Sequence, residues 1–261
     1  METIYPLDKI YSNATGVTYP VCGAGHGSGP TPDPKSQYFC IENLSGTDNL
    51  VDFRLINGHP RPQIEYSLDG ENWQSFSTFV KLEDGEKMYL RGTSFHEAGN
   101  TGYVQLNISG DFNASGNIMS MVDYTNMTTL TSIGEREFRN LFDGSNIVSA
   151  ENMNFGNVET VDSYSIMNMF RNSTKLTKGP DFSTIKTLNG SSAFSTVFKG
   201  CSNLETVYVP KVESWDSGKF DNWLQDAGTN VTGTKTAYVP TGVTIPESNS
   251  GVPSGWTRTD Y

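Results

Sequence analysis

VFKGCSNLETVYVP, residues 197–210, decides the fold. Phe194, Val197 and Phe198 stand at i, i+3 and i+4, which places three side chains on one face of two helical turns. Gly200 then offers a stop, and LETVYVP reads as a short extended segment closed by Pro210. A helix, a stop and a strand of this size cannot bury an apolar face alone, so the stretch needs neighbours of its own kind.

The chain supplies them. The same triplet recurs as Phe138, Leu141, Phe142, as Ile166, Met169, Phe170, and as Phe220, Trp223, Leu224, at intervals of 28, 28 and 26 residues. Four matches at near-constant spacing define an internal repeat. Ser132 with Glu135 forms a capping-box pattern before the first triplet, and Gly144, Asn172 and Gly200 stand two residues after theirs, where a left-handed C-cap is expected. Extended segments IVSAENM, LTKGPDF, LETVYVP and KTAYVP follow, and the last two share Thr-x-Tyr-Val-Pro at 206–210 and 236–240. The predicted region is a stack of about four units over 123–245. Its shared interior is built from Phe138, Phe142, Ile166, Phe170, Leu176, Phe194, Phe198, Leu204, Val207, Val209, Trp223 and Leu224. Such a stack needs caps, and SGWTRTDY within 246–261 is the predicted one at its end.

Upstream the texture differs. Residues 35–122 contain short alternating runs (QYFCIENL, LVDFRLI, PQIEYSL, KMYLRGTS, GYVQLNISG) separated by the turn signals SGTDN, NGHP, LDGEN and EDGEK. This predicts a small antiparallel β-sandwich able to cap the front of the stack. SLDGENW, 67–73, resembles an Asp-box hairpin, a turn device with a packed Trp. The overall prediction is a mainly β chain with short helices. GAGHGSGPTPDP, 23–34, reads as a Gly/Pro linker, and residues 1–22 read either as a disordered tail or as a peptide whose Ile4, Tyr5, Leu7, Ile10, Tyr11 and Tyr19 anchor it to a partner.

Composition narrows the function. A formal charge of -11 over 261 residues disfavours nucleic acid as a partner. No stretch approaches the roughly 20 apolar residues of a membrane span. METIYPLDKIYSNATG has no basic, apolar signal pattern, so export by the general route is not expected, and the eight N-x-S/T triplets read as a by-product of Asn, Ser and Thr richness. Three cysteines, Cys22, Cys40 and Cys201, form no CxxC pair; whether Cys22 and Cys40 pair is left open. His26, His59 and His96 lie far apart in turn-like contexts. No nucleophile elbow, zinc helix, phosphate loop or dinucleotide fingerprint occurs, and the carboxylates Asp69/Glu71, Glu83/Asp84 and Asp216/Asp221 fall in turns or on polar faces. No catalytic residue, cofactor or metal is therefore expected.

Phe198-x-x-Cys201-x-x-Leu204-x-x-Val207-x-Val209-Pro210 resembles the BspA-like, Treponema-type leucine-rich repeat. Unit two keeps Phe170, Leu176 and Ser173 in the Cys place; the others are more degenerate. The segments IEYSLDGENW, GEKMYLRGTS and ISGDFNASGNIMSM resemble the β module preceding such repeats in Bacteroides-type surface proteins and in their crAss-like phages. The resemblance implies a non-enzymatic virion protein, a head or tail fibre or decoration. Capsid or tail proteins would hold its N-terminal segment, and the body would meet host surface glycan or protein. The alternative it implies is a bacterial cell-surface adhesin. No heptad pattern selects an oligomeric state, and a homo-oligomer is compatible with the sequence.

Overall fold

A computed structural model describes residues 34–261. The anchor peptide and all of the Gly/Pro linker but Pro34, with Cys22 and His26, lie outside the described residues. The described residues form one compact unit.

The chain is mainly β with short helices. Eight strands come first: β1 Phe39–Asn43, β2 Asn49–Ile56, β3 Gln63–Ser67, β4 Gln74–Ser75, β5 Val80–Leu82, β6 Lys87–Ser94, β7 Tyr103–Ile108 and β8 Phe112–Asn117. Buried and exposed residues alternate along β2, β6 and β7, the mark of strands with one face in a core. One antiparallel sheet has the order β8-β1-β6-β3-β4, the other β5-β2-β7. Phe53 of β2 joins the two, packing on Phe76 at 4.9 Å and Phe95 at 6.1 Å between ring centroids.

The helix α1, Ser120–Asp123, lies directly on β6. Gly92 permits this approach, because a Cβ there would stand 2.5 Å from the Met121 carbonyl and 2.7 Å from that of Gln63. Seven strands complete the chain: β9 Ser132–Ile133, β10 Ile147–Asn154, β11 Thr160–Val161, β12 Thr187–Leu188, β13 Thr206–Tyr208, β14 Lys235–Val239 and β15 Trp256–Asp260. All of them pair in parallel, β10 with β8 of the first sheet and the others with equivalent strands of neighbouring circuits.

The triplets are not helices. Among the described residues the helices are α1 and a 3-10 turn at Pro34–Gln37, and residues 134–144, 162–172, 191–200 and 216–228 are successive turns. Their backbone follows an alternating rule. The N–H groups of Glu137, Arg139, Leu141, Asp143 and Ser145 bond three residues back. Those of Arg136, Phe138, Asn140, Phe142 and Gly144 instead bond forward to the carbonyls of Ser163, Ser165, Met167, Met169 and Arg171 in the next coil. The pattern repeats from Asn168, Phe170 and Asn172 to Ser195, Val197 and Lys199, and from Phe194, Thr196, Phe198 and Gly200 to Lys219, Asp221, Trp223 and Gln225. An α-helix would direct every N–H along its own axis; here half of them need a neighbour.

Left-handed residues make this geometry. Asn140 (φ 63°) and Gly144 (φ 68°) flank Phe142; Asn168 (59°) and Asn172 (59°) flank Phe170; Thr196 (54°) and Gly200 (75°) flank Phe198. Asn and Gly enter this region at least cost. The expectation that Gly144, Asn172 and Gly200 are left-handed holds for a different reason than helix capping. Ser132 lies in β9, and Glu135 pairs with Arg136 rather than closing a capping box.

The apolar spacing has its consequence in the core. Phe142, Phe170 and Phe198 stack ring on ring, with centroids 5.2 and 5.5 Å apart and planes inclined by 15° and 12°. Offset stacks of this kind add about 0.5–1.5 kcal/mol per pair beyond burial. Ser173 Oγ donates to the Phe142 carbonyl at 2.7 Å, and Cys201 Sγ to that of Phe170 at 2.9 Å. Ser and Cys thus alternate at this position because each supplies one small donor.

Both ends are closed. β10 continues the first sheet by pairing in parallel with β8. Single-residue bridges Ser149–Lys178–Thr206 carry that sheet on to β13, β14 and β15. On the other layer Leu106 of β7 donates its N–H to the Leu141 carbonyl at 2.8 Å, and Gln105 Nε2 donates to the Asp143 carbonyl. The front of the stack thus docks on strand edges of both sheets, and Phe39, Phe95 and Phe112 reach Phe142 and Phe138 across the seam. At the far end Leu224 N–H bonds the Asn249 carbonyl, Asn222 N–H bonds Ser250 Oγ, and Trp223 Nε1 donates to Gly251 O at 2.6 Å.

Candidate binding surfaces

The twelve predicted repeat-core residues are all buried, Leu224 at 1 % exposure and the others at 0 %. They line the interior. The predicted anchor residues Ile4, Tyr5, Leu7, Ile10, Tyr11 and Tyr19 lie outside the described residues. Cys40 and Cys201 are buried thiols, and burial pushes Cys40 up to about 11 and Cys201 further still, which leaves both poor nucleophiles.

The turn-like histidines come together. His59, 3 % exposed, places Nδ1 2.6 Å from the Pro60 carbonyl, so this nitrogen donates and Nε2 accepts. His96 Nδ1 lies 3.0 Å from that Nε2. Burial, then the neighbouring His59, lowers the affinity of His96 for a proton. Across the seam, Glu137 of the first coil accepts from the His96 N–H at 3.1 Å, and burial raises its carboxyl to about 7. The cluster joins sandwich to coil.

A groove beside the coil ladder has a structural origin. Glu159-Thr-Val-Asp162, Lys186-Thr-Leu-Asn189 and Glu213-Ser-Trp-Asp216 follow each other at 27 residues. Ser132, Thr160 and Thr187 pair as rungs of one ladder, and Ser214 would be the next. It does not pair. Trp215 instead stacks on Phe220 at 3.7 Å and donates Nε1 to Ser250 O at 2.9 Å. Lys219 Nζ takes the Leu188 carbonyl that a backbone N–H would have bonded. The missing rung leaves a cleft of about 550 Å³ floored by Leu188, Val212 and Phe220. Its rim carries Lys186, paired with Glu159, together with Lys211, Glu213 and Asp216, so both signs are present.

A second feature lies on the outer face of the six-stranded sheet. The Arg91 guanidinium stands 4.0 Å from the centroid of Trp73 and 4.5 Å from that of Tyr124, and its Nε donates to Glu65 Oε2 at 2.7 Å. Tyr38 packs edge-on against Trp73 at 4.8 Å. Two turns of the same design position the rings. Asp69 accepts from the N–H groups of Glu71 and Asn72, each at 2.8 Å, and from Asn72 Nδ2. Asp123 accepts from the N–H groups of Thr125 and Asn126 and from Asn126 Nδ2. These donors hold both carboxyls below the ordinary Asp range. The hairpin at SLDGENW is therefore a turn device that presents Trp73, and no signal in the sequence linked it to Tyr124.

Among the described residues no helix is long and apolar enough to cross a membrane, and no group of three His, Cys, Asp or Glu side chains is placed to hold a metal. No family model, curated protein or solved structure matches the chain.

Proposed function

We propose that the chain is a non-enzymatic structural protein of a phage virion, a head or tail fibre or decoration. Its N-terminal segment attaches to capsid or tail proteins, and its body faces the host. The observation that supports this most is the continuity of the body. One sheet runs from β4 through β10 and the Lys178 bridge to β15, and both ends of the coil stack are closed by the chain itself. A body whose repeats are satisfied internally keeps its shape when held at a distance and leaves whole sheet faces for contact. The resemblance of 197–210 to BspA-like repeats and of 64–73 to the phage-associated β module points the same way.

The test is incorporation. Particles assembled with a chain lacking residues 1–33 should lack the protein, while the truncated chain melts as the full chain does. A truncated chain still found in particles overturns the attachment. The runner-up is a bacterial surface adhesin, in which the ordered aromatic face around Arg91 would be the contact surface. Recovery of the full chain in the cell envelope and its absence from particles selects that reading.

A further inference from the structure

We infer that the outer face of the six-stranded sheet binds a neutral, hexose-containing oligosaccharide in the cleft beside the Trp73–Arg91–Tyr124 stack. The cleft, about 430 Å³, is lined by Tyr124, Glu65, Gln63, Thr93 and Ser75 above a floor of Ile64 and Phe76. That volume is at the small end of ligand sites, about 300–1,000 Å³, and suits one or two sugar rings.

The chemistry of the lining selects the class. A hexose presents an apolar C–H face and an edge of neighbouring hydroxyls that both donate and accept. Tyr124 offers a rigid, half-exposed ring to such a face. Glu65, 41 % exposed, uses Oε2 on Arg91 and, among the described residues, leaves Oε1 as an acceptor. Arg91 uses Nε on Glu65 and keeps the rest of its fork as donors, in a plane fixed by two rings. Gln63 and Thr93, 3.3 Å apart, add an amide and a hydroxyl. The Glu65 acceptor, held in place by Arg91, stands in the cleft wall with the Gln63 amide donor, a pair that matches a vicinal diol.

Charge argues for a neutral sugar. Glu65, Asp69, Glu71 and Asp123 border this face against Arg91 and Lys35, and Lys35 is already paired with Glu71 at 3.0 Å. The surplus of carboxylates repels sialylated or sulfated chains. The site is also built in advance. Gly92 lets α1 sit on β6, the Tyr124 N–H bonds the Gly92 carbonyl at 3.0 Å, and the Asp69 and Asp123 turns fix both rings, so little ordering remains at binding.

The inference deepens the display reading and rests on it for the source of the sugar, a host surface. The test uses the full chain on an array of glucans, mannans, galactans, sialylated and sulfated glycans, followed by calorimetry on the best neutral probe. Binding to neutral hexose chains is expected. Y124A and R91K should each weaken it about tenfold, Y124F should retain most of it, and K211A in the other groove should leave it unchanged. Near-parent circular dichroism and melting would show that the variants fold. Failure of every neutral chain to bind, binding to sialylated or sulfated chains alone, or parent-like binding by both Y124A and R91K overturns the proposal. A protein found in particles that binds no glycan leaves the display reading standing; one that binds neutral hexoses but is absent from particles leaves the site standing.

Discussion

The sandwich and the coils satisfy their backbones in different ways. In the sandwich a strand finds its partner by reversing direction, and a local turn such as Asp69-Gly70, between β3 and β4, sets the register. In the coils the partner lies one circuit ahead, so register is set by the length of the circuit. Thr187 meets Thr160 because 27 residues separate them, and Phe142 N–H meets the Met169 carbonyl for the same reason. The sandwich therefore depends on which residues occupy its turns, and the coils on how many residues lie between equivalent positions. The fourth coil shows both outcomes. Its β14 regains register with β13, Thr206 against Thr236, despite the longer thirty-residue circuit, whereas Ser214 keeps the 27-residue spacing and does not pair. There the bulk of Trp215, stacked on Phe220, diverts the strand.

Substitutions at four positions break or sharpen this comparison. The largest effect is expected from F170A at the centre of the ring stack, a loss of about 3–5 kcal/mol in denaturant unfolding. Because Phe142 also touches Phe39 and Phe112, sandwich and coils should melt in one transition; a surviving sandwich transition would separate the two regions after all. Next comes N168A. Asn168 is left-handed, donates to Asn140 Oδ1 at 3.2 Å and accepts from Thr196 Oγ1, so about 2–3 kcal/mol should be lost. N168G, which keeps the backbone conformation, should recover about 1 kcal/mol of that.

The seam responds to pH. Glu137 has a folded value of about 7 against 4.5 unfolded, so the folded state holds the extra proton and loses stability as pH rises from about 4.5 to 7. E137Q should therefore stabilise the protein by about 2 kcal/mol at pH 8 and by nothing below pH 4.5, read from melts across that range. His96 acts in the opposite sense, since its lowered value removes stability as pH falls below 6.5. The smallest effect belongs to R171A. Arg171 joins Asp143 of the preceding coil through Nε at 3.0 Å and Nη2 at 2.5 Å on a partly exposed edge, and about 0.5–1 kcal/mol should be lost, less in high salt.

Some of this was legible and some was misread. The repeat length and the ring column could be read from Phe142, Phe170 and Phe198. The helices could not, because apolar positions at i, i+3 and i+4 also suit a chain that turns every four residues. The contrary signal was Asn140-x-Phe142-x-Gly144 and Asn168-x-Phe170-x-Asn172, which places left-handed formers on both sides of each ring. A second motif also went unread: MTTLTSI at 127–133, FGNVETV at 155–161, FSTIKTL at 182–188 and VPKVESW at 209–215. It supplies Phe155 and Phe182 to the core and the rungs β9, β11 and β12. Of the candidate site, the Asp69 hairpin and its Trp73 stood out in sequence; Arg91 and Tyr124 did not.

By itself the sequence determined the period, the residue types at each buried position and the mainly β character, because these depend on spacing and side-chain chemistry along one chain. Only the tertiary structure decided that half the turn amides bond forward to the next coil, that strands β7 and β8 seal the front, and that Trp73 and Tyr124 meet over one guanidinium. Those contacts join residues dozens of positions apart. Their geometry depends on how the two sheets and the coil stack dock, which no local pattern encodes.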